Sequence, residues 1–147
     1  MVIDEINYKI MKQLQDGRKS YREIAKSLSI TENTVRARVK KLKKEGIFSI
    51  TGLVNPDKIP DHTIAFVGVR IKNLSILSQA EEISKMKGVV SVSIVTGRYD
   101  LMMIVMFTKE FGLLQFYSDE LSNISDVVSV ETFIAYENFN LNLPYIL

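Results

Sequence analysis

Thirteen residues, Glu32 to Lys44, carry two arginines and four lysines against a single glutamate. At 100° per residue on a helix, Val35, Val39 and Leu42 fall within about 60° of one another and claim a buried stripe. Asn33, Ala37, Lys40 and Lys44 take the opposite side, with Thr34 and Lys41 beside them and Arg36 and Arg38 on the two flanks. The exposed surface therefore begins with short polar or small side chains and continues with cations. Asparagine can pair with adenine through two hydrogen bonds, and small or methyl-bearing side chains can touch thymine methyls. Longer cations neutralise phosphates and release counterions. This pattern assigns base reading to Asn33, Thr34 and Ala37, and mainly phosphate contact to Arg36, Arg38, Lys40 and Lys41. Double-stranded DNA is the expected partner. Which arginine can reach guanine stays open, and a merely solvated Lys/Arg face would have the same composition.

The elements around this segment suit that use. Ser20-Tyr21-Arg22-Glu23 is a capping box opening a short helix through Leu28, with Ile24, Ala25 and Leu28 on its apolar side. Ser29-Ile30 breaks it, and Thr31 caps the next helix, which runs to about Glu45. Two helices joined by so short a turn follow helix-turn-helix logic. Ile3, Ile6, Ile10 and Leu14 mark an earlier helix capped by Asp4 and closed at Asp16-Gly17. Gly46 stops the basic helix, and Ile47–Val54 alternates as a wing-like strand would.

Charge divides the chain. Residues 1–60 hold 13 basic and 7 acidic side chains, a net +6, whereas residues 61–147 hold 6 and 10, a net −4. Only the first half is expected to meet a polyanion. Pro56 and Pro60 within Asn55–Asp61 mark a boundary, giving a DNA-binding domain over 1–54, a linker over 55–62 and a second domain over 63–147. In that second domain the patterns are strand (63–72), helix (75–87), strand (89–96), turn (97–100), strand (101–107), helix (109–124) and strand (127–136). The order βαββαβ is ferredoxin-like, so the fold class is α+β. Residues 138–147 show no period and read as a tail, frayed or lying on a neighbour. Met102, Met103, Met106 and Phe107 read as core or interface filler. Phe66, Val67 and Val69 are expected to serve the sheet and a dimer contact. Two domains this small bury little surface alone, which favours oligomerisation.

In sequence the chain resembles the leucine-responsive/asparagine-type (Lrp/AsnC) feast-or-famine regulators over almost its whole length. The resemblance rests on Asp4 with Ile10, Asp16-Gly17-Arg18, Ser20-Tyr21 with Ile24-Ala25, TENTVRARVKKLKKEGI at 31–47, NPDKI at 55–59 and VTGRYD at 95–100. The family's Gly-x-Tyr-Asp falls on Gly97, Tyr99 and Asp100. Thr132 matches a family threonine, while Asp126, Ser129 and Val130 replace the usual glycine, arginine and threonine. The resemblance implies a winged helix-turn-helix joined to a ligand-sensing domain that forms homodimers, and larger rings such as octamers. It implies an amino acid or similar small metabolite as effector, held between subunits near Gly97, Tyr99, Asp100 and Thr132. Asp100 suits an α-ammonium group and Arg98 a carboxylate, the latter without family support. Equally, Gly97–Asp100 reads as a plain hairpin turn in which Asp100 satisfies local backbone donors.

Other classes fare worse. With no cysteine there is no disulfide framework, thiolate metal site or cysteine nucleophile. No cofactor, metal or catalytic set is expected. The sequence shows neither a secretory signal nor an apolar run long enough for a bilayer, so a cytoplasmic protein without membrane attachment is expected. An enzyme on the same scaffold, like some haem-pathway decarboxylases, would need histidine and arginine in the second domain. Only His62, beside the prolines, and Arg70 and Arg98 are available. A DNA-organising protein of low sequence preference shares every feature above.

Overall fold

The computed structural model describes residues 3–72 and 75–147. It divides into compact units of residues 1–51 and 52–147. In the first, α1 (Glu5–Leu14) is capped by Asp4, whose carboxylate accepts the Asn7 N–H at 2.8 Å. The capping box at Ser20 and Glu23 starts α2 (Tyr21–Leu28), and Thr31 caps α3 (Glu32–Lys44). Ser29 turns the chain between them at φ +54°, while Ile30 donates its N–H to Ala25 at 3.0 Å. The apolar stripes of the three helices meet in one core of Ile10, Leu14, Ile24, Ala25, Val35 and Val39. Leu42 is also fully buried.

The strand expected over Ile47–Val54 is confined to β1 (Leu53–Val54), which pairs antiparallel with β6 (Leu143–Pro144) in the second unit. Ile47 and Phe48 instead turn back on α3, both donating N–H to the Leu42 carbonyl. Phe48 packs on the helical core. Alternation supplies a strand with a face, but pairing needs a partner, and among the described residues of the first unit there is no strand. The stretch expected to be a linker, 55–62, includes a 3-10 turn at Pro56–Lys58 in which Pro56 is buried.

In the second unit β2 (Thr63–Ile71), β3 (Val89–Ile94), β4 (Leu101–Phe107) and β5 (Val127–Ile134) form an antiparallel sheet in the order β3-β4-β2-β5. This is the expected ferredoxin-like arrangement, with α4 (Ile76–Ile83) crossing between β2 and β3. One face packs Ala65, Val67, Val69, Leu101, Met103, Val105 and Phe107 against Ile83 of α4 and Phe111, Phe116 and Leu121. Val67 and Val69 are therefore core residues of the helical face. Only Phe66 of the three residues expected at a dimer contact lies on the other side.

The second helix is shorter than the expected 109–124. After α5 (Leu113–Gln115) the chain widens into a π-helical segment, Phe116–Glu120, and ends in a 3-10 turn, Leu121–Asn123. The spacing fits this: Phe116 and Leu121 stand five residues apart, an interval a 3.6-residue helix cannot keep on one side, while Phe111 precedes the helix. In the widened turn Leu121 donates its N–H to Phe116, and all three side chains are buried. Leu114, between them, is 76% exposed.

Residues 138–147 are not frayed. Leu143 joins Ile64 and Met106 on the sheet's second face, with Leu141 and Leu147 beside them. Among the described residues no helix is long and apolar enough to cross a membrane, and no cluster of His, Cys, Asp and Glu could hold a metal ion.

Phe116 contacts three aromatic rings within 6.4 Å and has no exposed surface. Truncation to alanine should cost about 3–5 kcal/mol. Urea denaturation followed by circular dichroism reads this directly, and a loss under 1 kcal/mol would show that the π segment does not anchor the sheet.

Candidate nucleic-acid interface and ligand turn

Burial of Val35, Val39 and Leu42 at 0–1% exposure fixes which way α3 faces. Asn33, Ala37, Arg36, Lys40 and Lys41 are exposed, and Thr34 is partly so. Thr34 does double service. Its N–H is bound by the Thr31 hydroxyl at 3.1 Å, and its own hydroxyl lies 2.8 Å from that of Thr31. Arg36 pairs with Glu32 at 2.8 Å and lies over the Tyr21 ring, 5.4 Å from its centroid. Its side chain remains 61% exposed.

Arg38, expected at phosphates, is engaged elsewhere. Its guanidinium donates to both carboxylate oxygens of Asp4, at 2.7 and 2.8 Å, and to Asn7 Oδ1 at 2.9 Å. Only 29% of the side chain is exposed. Asn7 is itself buried and sits one turn into α1. Arg38 thus ties the start of α1 to the middle of α3. Sequence reasoning missed this because the partners lie 31 and 34 residues apart. Asp4 was legible as a cap, but not as the counter-ion.

The Gly-x-Tyr-Asp turn is also internally committed. Gly97 takes φ +128°, a conformation that side-chain-bearing residues rarely adopt. Asp100 accepts the Ile71 N–H at 2.8 Å, beside an irregularity in β2–β5 pairing between Arg70 and Ile71. That bond satisfies a backbone donor at the end of β2, which favours the plain-turn reading of Asp100 over an ammonium contact. The Tyr99 ring lies flat on β2 over Gly68, where a Cβ would stand 2.7 Å from the ring. Its hydroxyl donates to Glu131, and Arg98 pairs with the same carboxylate at 3.1 Å. The hydrogen bond that Tyr99 donates to Glu131, and then burial, push the Tyr99 phenol above its ordinary value.

Thr132 is not brought to this cluster. It follows Glu131 on β5, so its side chain points to the opposite, helical face and meets the Tyr117 hydroxyl at 2.8 Å. Glu131 is the residue that sequence reading overlooked. Its position opposite Gly68 in the register could be found only once β2 and β5 were paired. His62 lies 2.8 Å from the Pro60 carbonyl and stacks against Tyr145, with centroids 5.6 Å apart.

Known proteins bear on both regions. A family model described as a winged helix-turn-helix DNA-binding domain matches residues 3–48, and the Lrp/AsnC ligand-binding domain model matches residues 64–142. An uncharacterized HTH-type transcriptional regulator of Pyrococcus horikoshii is 37% identical over 134 residues, covering 90% of this chain and 85% of that one. Among solved structures, E. coli AsnC superposes with a TM-score of 0.72 at 25% identity, covering 94% of this chain and 95% of that one. The Neisseria meningitidis transcriptional regulator NMB0573, solved as an L-Met complex, gives 0.73 at 21% identity over 99% and 96%.

The Asp4 junction carries a pH signature. The Asn7 N–H and then the Arg38 guanidinium hold its carboxyl below the ordinary 3.8. A depressed carboxyl stabilises the fold fully above its unfolded value, and the contribution disappears as pH falls through the lower folded value. Glu5 and Glu23 are lowered too, by Lys9 and by Ser20 respectively. Asp4→Asn should therefore be less stable than wild type at neutral pH and lose less stability between about pH 5 and pH 2. Denaturant midpoints measured across that range test it, and parallel curves for the two proteins would remove Asp4 from the account.

Proposed function

This chain belongs to the Lrp/AsnC family of transcriptional regulators, and on that footing we propose that it binds DNA sequence-selectively through α3 and answers to a small metabolite. The observation that carries the reading is the division of α3 between a fully buried stripe and an exposed side that grades from Asn33 and Ala37 to lysines. Asn33, Thr34 and Ala37 read base edges in the major groove, and Arg36, Lys40 and Lys41 contact phosphates. Arg38 acts through Asp4 by holding α3 in place. Copies of the chain pair into homodimers, and into larger rings such as octamers, presenting two α3 helices about 34–36 Å apart, one DNA turn. Regulation of this kind is cytoplasmic.

The effector is an amino acid or similar metabolite meeting the Gly97–Asp100 turn. The ligand-binding family model over residues 64–142 and the L-Met complex of the Neisseria regulator support this reading. Arg98 and Tyr99 are the turn's ligand-facing side chains. Asp100 contributes by bracing the backbone, and Thr132 by ordering the sheet's helical face through Tyr117.

Two measurements test the proposal. In anisotropy titrations against its own promoter region and a scrambled duplex, Asn33→Ala should lose about 1–3 kcal/mol of discrimination at one base pair. Ala37→Glu should abolish binding. An unchanged footprint in both variants overturns the α3 assignment, and a specificity ratio near unity in wild type favours a DNA-organising protein instead. Calorimetry with a panel of amino acids should find one that binds wild type and binds Arg98→Gln at least tenfold more weakly. No binder in the panel, or equal binding by the variant, removes the turn as the effector site.

A further inference from the structure

Beside the base-reading side of α3 lies a groove of about 370 Å³, lined by Tyr21, Arg36, Val39, Lys40 and Lys43. Arg36, Lys40 and Lys43 stand at i, i+4 and i+7. They form a row on one flank, about 10 Å long at 1.5 Å rise per residue. Val39 provides the floor, and the Tyr21 ring forms a wall against which the Arg36 guanidinium rests. No acidic residue lines the groove. The nearby Glu32 is already paired with Arg36. Among the described residues Lys40 and Lys43 have no ion pair, and the Tyr21 hydroxyl has no hydrogen-bond partner.

Three cations and a free hydroxyl converging on an open trough suit an anion with several acceptor oxygens. A row about 10 Å long suits successive charges along a strand better than a single compact ion. We propose that this groove seats phosphodiesters of the DNA backbone, with Tyr21 and Lys43 as contact residues additional to those of the base-reading side. Glu32 is the counter-ion that holds Arg36 over Tyr21 until a phosphate replaces it. Arginine can grip that phosphate through two parallel donors while its flat face stays on the ring. The inference rests on DNA binding by α3 and adds a second, sequence-blind strip of contacts alongside it.

The full-length protein is titrated against labelled promoter and scrambled duplexes over a range of salt concentrations. Lys43→Gln should weaken both duplexes alike and leave the footprint unchanged. It should also remove about 0.9 from the slope of log affinity against log salt for each bound helix. Between about 50 and 200 mM salt, that shrinks the loss of affinity by about 3.5-fold per contact. Tyr21→Phe should weaken both duplexes through the lost donor, with unchanged thermal melting. Glu32→Gln should tighten binding at low salt by releasing Arg36. If Lys43→Gln and Tyr21→Phe match wild type in affinity and slope while Lys41→Gln does not, the groove is overturned and DNA binding by α3 stands. If wild type itself shows no salt-dependent binding, the DNA reading falls, and the groove with it.

Discussion

A helix that reads DNA must present one side to solvent, yet in a unit of about fifty residues every helix is also needed for the core. In α3 the conflict is settled by position. Val35 and Val39 close the core against Ile10, Leu14, Ile24 and Ala25, Leu42 is buried as well, and no other side chain of the helix is fully buried. The rotation of the helix is therefore set by burial, and Asn33, Ala37 and the lysines fall where they must. With so few core residues, burial alone leaves little margin against rolling. Arg38 supplies a second constraint at the edge of the stripe, where a cation can reach Asp4 and Asn7 without leaving solvent entirely. The same helix thus contains its reading side, its core side and its clamp in seven consecutive residues, Asn33 to Val39.

Hydrogen-bond accounting changes what the second unit's conspicuous residues do. Asp100 looks like a ligand carboxylate in sequence, but it completes the backbone bonding of β2 where pairing with β5 slips. Tyr99 and Thr132, two family-matched positions, lie on opposite faces of the same sheet. One is held by Glu131 and the other by Tyr117. Gly68 makes the first of these contacts feasible, since any side chain there would collide with the Tyr99 ring. The side chains of the motif left without an internal role are fewer than the sequence suggests, and they stand on a braced support.

Much of this architecture was legible in the sequence because it is local. Ser20 with Glu23 and Thr31 with Thr34 are caps whose partners lie three residues away, and the βαββαβ order follows from periods of two and 3.6. What escaped was set by distant partners or by an irregular period. Ile47–Val54 alternates like a strand, but periodicity reveals a face and not the strand that will pair with it. Phe116 and Leu121 stand at a five-residue interval that a widened turn keeps on one side. Arg38 reads as one more cation until Asp4, 34 positions earlier, is placed beside it. The Gly97–Asp100 segment was legible as a turn, but its internal bonds were not, because Ile71 and Glu131 reach it only through sheet pairing.

The pairing of Leu53–Val54 with Leu143–Pro144 bears on how the protein is born. The three-helix unit occupies a single stretch of 51 residues, so it leaves the ribosome ahead of the second unit. The next strand then waits, unpaired, while some ninety residues are synthesised before its partner emerges. Ile64 and Met106 stay uncovered over the same interval, because Leu143 arrives with that partner. The N-terminal unit can thus form its basic helix early in translation, whereas the sheet's second face is closed only once Leu143 has emerged. Any nascent chain stalled before residue 143 would combine a finished basic helix with an open hydrophobic sheet.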